Sequence, residues 1–274
     1  MKWRMINSGI QRAAINMAVD EAILQAHAHG EVPPTIRFYG WQPAAVSLGY
    51  FQKAAAEVNL DRCQKQGIDV VRRLTGGRAV LHAAELTYSV VVRDDHPLIP
   101  ATITASYRYF SGGILAGLKQ LGVDACMSIP TGAYGQAKRS HASAACFDAP
   151  SQYEITVQGR KMVGSAQVRK DGVVLQHGSI LLNFDPELMA SLLKLPEPGK
   201  EALLAGMLAK RAISLSEVLS RQVTWQEICQ AMMDSFGSAL GVEAESGLLS
   251  QQEQDTACQL AQNKYSQDSW NLRR

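Results

Sequence analysis

The sequence predicts an α/β (α+β) fold of mixed, largely antiparallel sheets flanked by helices. Three observations carry this. Leu86 to Arg93 is a β-branched, apolar run and "QYEITVQ" alternates strictly, both strand signals. Residues 13–28 and 224–241 instead repeat their apolar positions at helical spacing. A Lys170-Asp171-Gly172 turn joins "KMVGSAQV" to "GVVLQHGSILLNF" as a hairpin. With 274 residues the chain can bury a large core, and no repeat or long linker divides it, so one domain is expected.

In chain order, "AAINMAVDEAILQAHA" sets Ile15, Ala18, Val19, Ala22, Ile23 and Ala26 on one helical face, with Gly30, Pro33 and Pro34 ending the helix. His27 and His29 read as a solvated helix terminus rather than a metal-ligand pair. "TIRFYGW" and "AAVSLGY" are strands. "EVNLDRCQKQGI" is a helix with Cys63 as core filler, and "DVVRRL" is the next strand. "ITASYRYFSGGILAGLKQLG" is a long helix in which Gly112 and Gly113 permit close packing. A strand near Asp124 to Ser128 leads to the small-residue loop holding Cys146. In "QYEITVQ", Tyr153, Ile155 and Val157 face one way and Glu154, Thr156 and Gln158 the other. Beyond Pro186 the pattern is helical, through "PELMASLLKL", "SLSEVLS", "TWQEICQAMMDSFGSALG" and a final "SQQEQDTACQLAQNKYSQDSW". Thr224 and Glu227 have capping-box spacing.

A formal net charge of +2 without a Lys/Arg-rich block points away from nucleic acid. Arg72, Arg73 and Arg78 form a local basic patch that would suit an acidic partner. The N-terminus lacks the apolar core of a signal peptide, and no apolar run reaches the length of a membrane span. A cytoplasmic protein with no membrane partner is expected. The cysteines number five, widely spaced and without a C-x-x-C pair, which argues against a disulfide framework and a zinc site. No cofactor and no metal are expected.

Gly76 and Gly77 follow a strand and let the backbone approach a ligand without Cβ interference. They do not belong to a P-loop, whose G-x-x-x-x-G-K-[ST] pattern is missing. Lys161 heads a strand of small residues. It is either an edge lysine that discourages sheet pairing or an amine facing a bound chain. Gly164, Ser165 and Ala166 leave room for such a chain. His82 and His177 are candidate bases or satisfied core histidines. Cys146 lies among Ala142–Ala145 with nothing bulky to bury it, so its thiol is a candidate nucleophile.

Together "RRLTGGRAVLH", "YEITVQGRKMVGSAQVR" and "LQHGSILL" resemble the lipoate-protein ligase A/B and biotin ligase superfamily. With "ACFDAPSQYEI" the chain is most similar to the LipM-type octanoyltransferases, from "NMAVDEAIL" to "KYSQDSWN". The resemblance implies a biotin/lipoate ligase-type catalytic domain over residues 1–274, with a helical C-terminal extension from about residue 186. It implies octanoyl transfer from octanoyl-acyl carrier protein, through a thioester on Cys146, to a lysine of a lipoyl-domain protein such as the glycine-cleavage H protein. Lys161 matches the lysine of the "GRK-x-x-G-S-A" motif. Arg73, Thr75, Gly76, Gly77 and His82 match the wall of the acyl cleft, and Gly164, Ser165 and Ala166 face the chain. Many relatives carry a polar residue after the histidine where this chain has Ala83, which weakens a catalytic role for His82. If 152–158 and 161–168 form a simple hairpin, Cys146 and Lys161 start roughly 20 Å apart. The loop from Ser140 to Ser151 must then fold back over the sheet. The alternatives are an ATP-dependent lipoate ligase, an octanoyl amidotransferase between lipoyl domains, and a non-catalytic lipoyl-domain binding module.

Overall fold

The computed structural model describes residues 2–128, 154–195, 197 and 199–273. Its elements begin with β1 (Trp3–Gln11), α1 (Ala13–Ala28), β2 (Thr35–Trp41), β3 (Ala45–Leu48), α2 (Ala54–Glu57), α3 (Leu60–Lys65), β4 (Asp69–Arg72) and β5 (Val80–His82). Then come β6 (Glu85–Arg93), α4 (Ile103–Gln120), β7 (Cys126–Met127), β8 (Ile155–Val157), β9 (Arg160–Lys170) and β10 (Val173–Leu181). The rest is α5 (Pro186–Ser191), α6 (Glu201–Arg211), α7 (Leu215–Leu219), α8 (Trp225–Ala239), β11 (Ala244–Ser246), α9 (Gln251–Leu260), a π-helical turn (Ala261–Tyr265) and α10 (Asp268–Asn271).

The larger sheet has the order β11-β1-β2-β6-β10-β9-β8-β7, and the smaller one β4-β3-β5. β11, β1 and β2 run parallel, while every pairing from β2 to β7 is antiparallel. The sheet is thus mixed and largely antiparallel. Two tight turns set the register of β8, β9 and β10. Gln158 and Gly159 have φ of 53° and 73°, and Asp171 and Gly172 have 53° and 71°. Positive φ at both central residues is the type I′ signature, whose twist matches that of the flanking strands.

Alternation gives the larger sheet two unlike faces. Ile36, Phe38, Leu86, Tyr88, Val90, Val174 and Ile180 pack an apolar core against α4 and α8. Those helices approach closely because α4 offers Gly113 and Gly117. A Cβ there would lie 2.6 Å from the Phe236 ring and 2.4 Å from the Met232 sulfur, respectively. Gly112, expected to share this contact, faces open space. The opposite face presents Arg37, Tyr39, Thr87, Ser89, His177 and Ser179, in register on β2, β6 and β10. α1 covers part of that face, and the smaller sheet stands across a cleft from the remainder.

Several expectations need correction. β1, β5 and α6 are elements beyond those expected, and β11 adds a strand within the C-terminal helical region. α1 is buried almost all round, with Ile15 only half-buried and Asn16, Asp20 and Glu21 inside. His27 is not solvated. It is 5% exposed, its Nδ1 lies 2.8 Å from the Val32 carbonyl and its Nε2 accepts from the Arg93 amide at 3.0 Å. Burial lowers its pKa, in keeping with a neutral ring; His29 alone is exposed. Thr224 caps α8, but Glu227 pairs with Arg221, so only half a capping box forms. The reciprocal box is Ser250 with Glu253, opening α9. Among the described residues no helix is long and apolar enough to cross a membrane.

Candidate functional site

The cleft lies where the polar face of the larger sheet meets β3 and β5, and holds about 420 Å³ of atom-free space, its open mouth included. Gly77 is exposed at the mouth, with half-buried Ser165 and Ala166 opposite; Met17, Tyr39, Trp41 and Thr87 form the buried interior. The fold therefore brings Arg73, Gly77, His82, Gly164, Ser165 and Ala166 to one cavity. Thr75 and Gly76 stand just behind the lining. Gly164 and Ala166, opposite Ser179 and His177, keep the slot open, while Ser165 between them accepts a hydrogen bond from Tyr88 OH at 2.8 Å.

Arg73 is buried and clamps the glycine turn. It donates to the Ser47, Gly76 and Arg78 carbonyls, each at 2.8 Å, and to Thr75 Oγ1 at 3.1 Å. Gly77 has φ of 91°, a left-handed conformation that favours glycine. Gly49 was not singled out from sequence, yet a Cβ on it would lie 2.0 Å from the Gly77 carbonyl oxygen.

Behind the turn lies a buried polar chain. Thr75 Oγ1 is 2.7 Å from His177 Nε2, and His177 Nδ1 is 3.2 Å from Asp20 Oδ2. A carboxylate only accepts, so His177 Nδ1 is the donor to Asp20, and Nε2 is the nitrogen that meets the threonine hydroxyl. Asp20 also takes hydrogen bonds from Arg37 Nη1 at 2.7 Å, Tyr39 OH at 2.8 Å and Ser89 Oγ at 2.9 Å. Burial pushes its carboxyl pKa up, and Arg37, His177 and Tyr39 more than offset this, leaving it below the ordinary value. His177 thus positions the turn as a satisfied core histidine.

His82 stacks on Trp41 with ring centroids 4.0 Å apart, and its Nε2 is 2.8 Å from Ser47 Oγ. Its Nδ1 lies 3.5 Å from Glu85 Oε2, an approach too long for a well-formed hydrogen bond. Burial lowers its pKa, with Glu85 opposing and Arg73 assisting.

Lys161 is 5% exposed, which excludes the solvent-edge reading. Its Nζ donates to Glu154 Oε1 at 2.6 Å, and its carbonyl accepts from the Ile213 amide. It stands three residues before Gly164 on β9, roughly 10 Å along the strand, and is not part of the cleft lining. Cys146 lies outside the described residues. Among those residues no cluster of His, Cys, Asp or Glu could hold a metal ion.

Arg72 and Arg73 are both buried, so neither contributes to a surface basic patch. Arg72 instead ties two distant segments together. Nη1 donates to the carbonyls of Gly49, Tyr50 and Gln52 at 2.8, 3.1 and 2.8 Å. Nε reaches the Trp270 carbonyl at 3.2 Å and Nη2 the Arg273 carbonyl at 2.8 Å. Trp270 Nε1 returns a bond to the Arg72 carbonyl, and Asn271 Oδ1 accepts from its amide. The Tyr50 amide then donates to the Thr75 carbonyl at 2.9 Å. Residues 270–273 form a strap beneath the 49–52 loop, on which the glycine turn rests.

The chain matches the lipoyl protein ligase A/B catalytic domain over residues 12–237. It is 47% identical over 274 residues to the octanoyltransferase LipM of Brevibacillus brevis, covering 100% of this chain and 99% of that one. Its fold is similar to a bi-partite lipoate protein ligase of Thermoplasma acidophilum, from a structural study of that ligase and its E2 lipoyl domain. The TM-score is 0.82 at 26% identity, covering 100% of this chain and 98% of that one. It is also similar to a lipoate-protein ligase A bound with ATP, with a TM-score of 0.78, 27% identity and 99% of each chain covered.

Proposed function

Because the chain belongs to the lipoyl protein ligase A/B family, among the LipM-type octanoyltransferases, we propose that it moves an octanoyl group from octanoyl-acyl carrier protein to a lysine of a lipoyl-domain protein. The glycine-cleavage H protein is the acceptor we favour. The observation that carries the reading is the cleft itself. Its interior is aromatic and apolar in part, and its mouth is lined by small residues, the composition expected of a site for an apolar chain.

In this reading the Cys146 thiolate attacks the thioester carbonyl and the carrier's thiol leaves, giving an octanoyl-enzyme thioester. The neutral amine of the acceptor lysine attacks that carbonyl. An amide bond forms, the lysine loses a proton, and the Cys146 thiolate departs. Thioester is exchanged for thioester and then for a more stable amide, so no ATP is consumed. Lys161, held in place by Glu154, is the cation proposed to stabilise the thiolate and the tetrahedral oxyanion. The catalytic unit we propose spans residues 1–274. Pairing of β11 with β1 and the packing of α9 on α1 support placing the region beyond residue 186 in the same body.

Incubation with octanoyl-acyl carrier protein alone, followed by digestion and mass spectrometry, should place one octanoyl group on Cys146. Adding the lipoyl-domain protein should discharge it without ATP, and Cys146→Ser should not turn over. Dependence on ATP and free octanoate would instead establish the ligase reading. Transfer that starts only from an octanoylated lipoyl domain would establish an amidotransferase, and no covalent mass would leave a binding module.

A further inference from the structure

The inner end of the cleft coincides with one rung of the larger sheet. Thr87 on β6 is opposite Ser179 on β10, and both line the cleft. The next rung on the same face pairs Glu85 with Leu181. Those two line a second cavity, with Leu81, Ala84, Phe184 and Leu188. Two strand residues span about 6.6 Å, so the cavities follow one another along a single axis.

Between them stands a polar partition. Glu85 is 2% exposed, and its two carboxylate oxygens lie 2.8 and 2.9 Å from Thr87 Oγ1. Trp41 Nε1 donates to the same hydroxyl at 2.8 Å, and the Trp41 ring stacks on His82, whose Nδ1 faces Glu85. On the cleft side, buried Ser179 Oγ has no hydrogen-bond partner among the described residues. An apolar chain that fills the cleft and extends beyond Thr87 would have to press against a buried carboxylate and strip it of its partners, which is costly.

We propose that Glu85, with Thr87 and His82, is the stop that sets the length of acyl chain the cleft accepts. The proposal rests on the acyl-transfer reading above. It makes Glu85 a specificity-determining residue that takes no part in the chemistry, and it makes the second cavity an extension kept closed to the substrate.

The test uses the full chain and acyl carrier protein loaded with hexanoyl, octanoyl, decanoyl or dodecanoyl groups, reading kcat/KM and the mass of the acyl-enzyme for each. Wild type should favour octanoyl over dodecanoyl. Glu85→Ala should raise the dodecanoyl-to-octanoyl ratio by at least about tenfold, since a single methylene in an apolar pocket changes selectivity roughly 10–200-fold. Leu188→Trp, which refills the second cavity, should leave octanoyl transfer unchanged alone and cancel the gain in the double variant. Glu85→Gln keeps the shape without the charge and should raise the same ratio to a smaller extent, which decides the matter if Glu85→Ala does not fold. A ratio that stays at the wild-type value in a folded Glu85 variant, with all chain lengths falling together, overturns the stop and leaves acyl transfer standing. Wild type that transfers no chain of any length overturns the acyl-transfer reading, and the stop with it.

Discussion

Replacing Asp20 by asparagine should expose how much of the fold depends on one buried carboxylate. Asp20 is 2% exposed and its partner Arg37 is fully buried. Arg37 also reaches Asn16 Oδ1 at 2.9 Å, the Asn16 carbonyl at 3.1 Å and Ser8 Oγ at 2.8 Å, so it cannot swing out to solvent without breaking those bonds. The asparagine would leave a guanidinium buried without its counter-charge and turn an NH₂ toward groups that donate. Breaking a buried pair by removing one member costs about 3–5 kcal/mol. At about 2–4 °C per kcal/mol for a large domain, the melting temperature should fall by roughly 6–20 °C. The pH dependence supplies a second reading. The native Asp20 pKa lies below its unfolded value of about 3.9, so its share of stability is complete above that pH and fades as pH falls through the native value. Urea unfolding followed by tryptophan fluorescence from pH 7 down to about 2.5 should therefore show a shallower acid loss in Asp20→Asn than in wild type. A loss below about 1 kcal/mol at pH 7, or an unchanged acid slope, would refute the reasoning.

Lys161→Ala should cut octanoyl transfer by something on the order of 10²–10³ while circular dichroism stays native, as for loss of an oxyanion donor; near-wild-type turnover would assign Lys161 and Glu154 a structural task only. Gly77→Val meets a positive φ and a Cβ position 2.9 Å from Arg73 Nη2, so it should cost about 1–3 kcal/mol and impair octanoyl transfer more than transfer of a shorter chain. Equal impairment at every length would point to the turn's geometry and not to its contact with the chain. Gly113→Leu places side-chain atoms in the Phe236 ring, so thermal unfolding should come earlier while KM of the remaining folded enzyme is unmoved. Trp270→Ala should loosen the strap and raise KM more than it lowers kcat, with Trp270→Phe recovering only part because the bond to the Arg72 carbonyl is gone; an unchanged KM would separate the strap from the cleft.

How far the sequence could be read depended on the range of the interactions involved. The β9–β10 hairpin was legible because Asp171 and Gly172 state the turn and the strands pair next to it. β1 escaped notice because its alternation is broken by a register shift between Asn7 and Ile10. The face of α4 was read correctly at Gly113 and wrongly at Gly112, since the choice belongs to Phe236, more than a hundred residues away. Asp20 and Glu21 look like ordinary helix-surface acids until Arg37, Tyr39, Lys264 and Tyr265 are placed around them. Gly76, Gly77 and the β9 small residues could be nominated for a cleft, because each is unusual locally. Gly49, Glu85 and Arg72 could not, because their meaning lies in what another segment presents to them. Cys146 was nominated by its loop and its resemblance to a family, two signals that need no geometry.

The strap has a consequence for the order of synthesis. Arg72 and the Trp270 carbonyl it holds are 198 residues apart. At about 5–20 residues per second, a ribosome takes roughly 10–40 s to travel between them. During that interval the nascent chain already carries the strands that wall the cleft, yet the 49–52 loop and the glycine turn above it lack their support. Arg72 meanwhile has the Gly49, Tyr50 and Gln52 carbonyls to bond, but not those of Trp270 and Arg273. A chain clipped short of position 270 would therefore keep the strands that wall the cleft while its 49–52 loop goes without the backbone contacts that Trp270 and Arg273 give to Arg72.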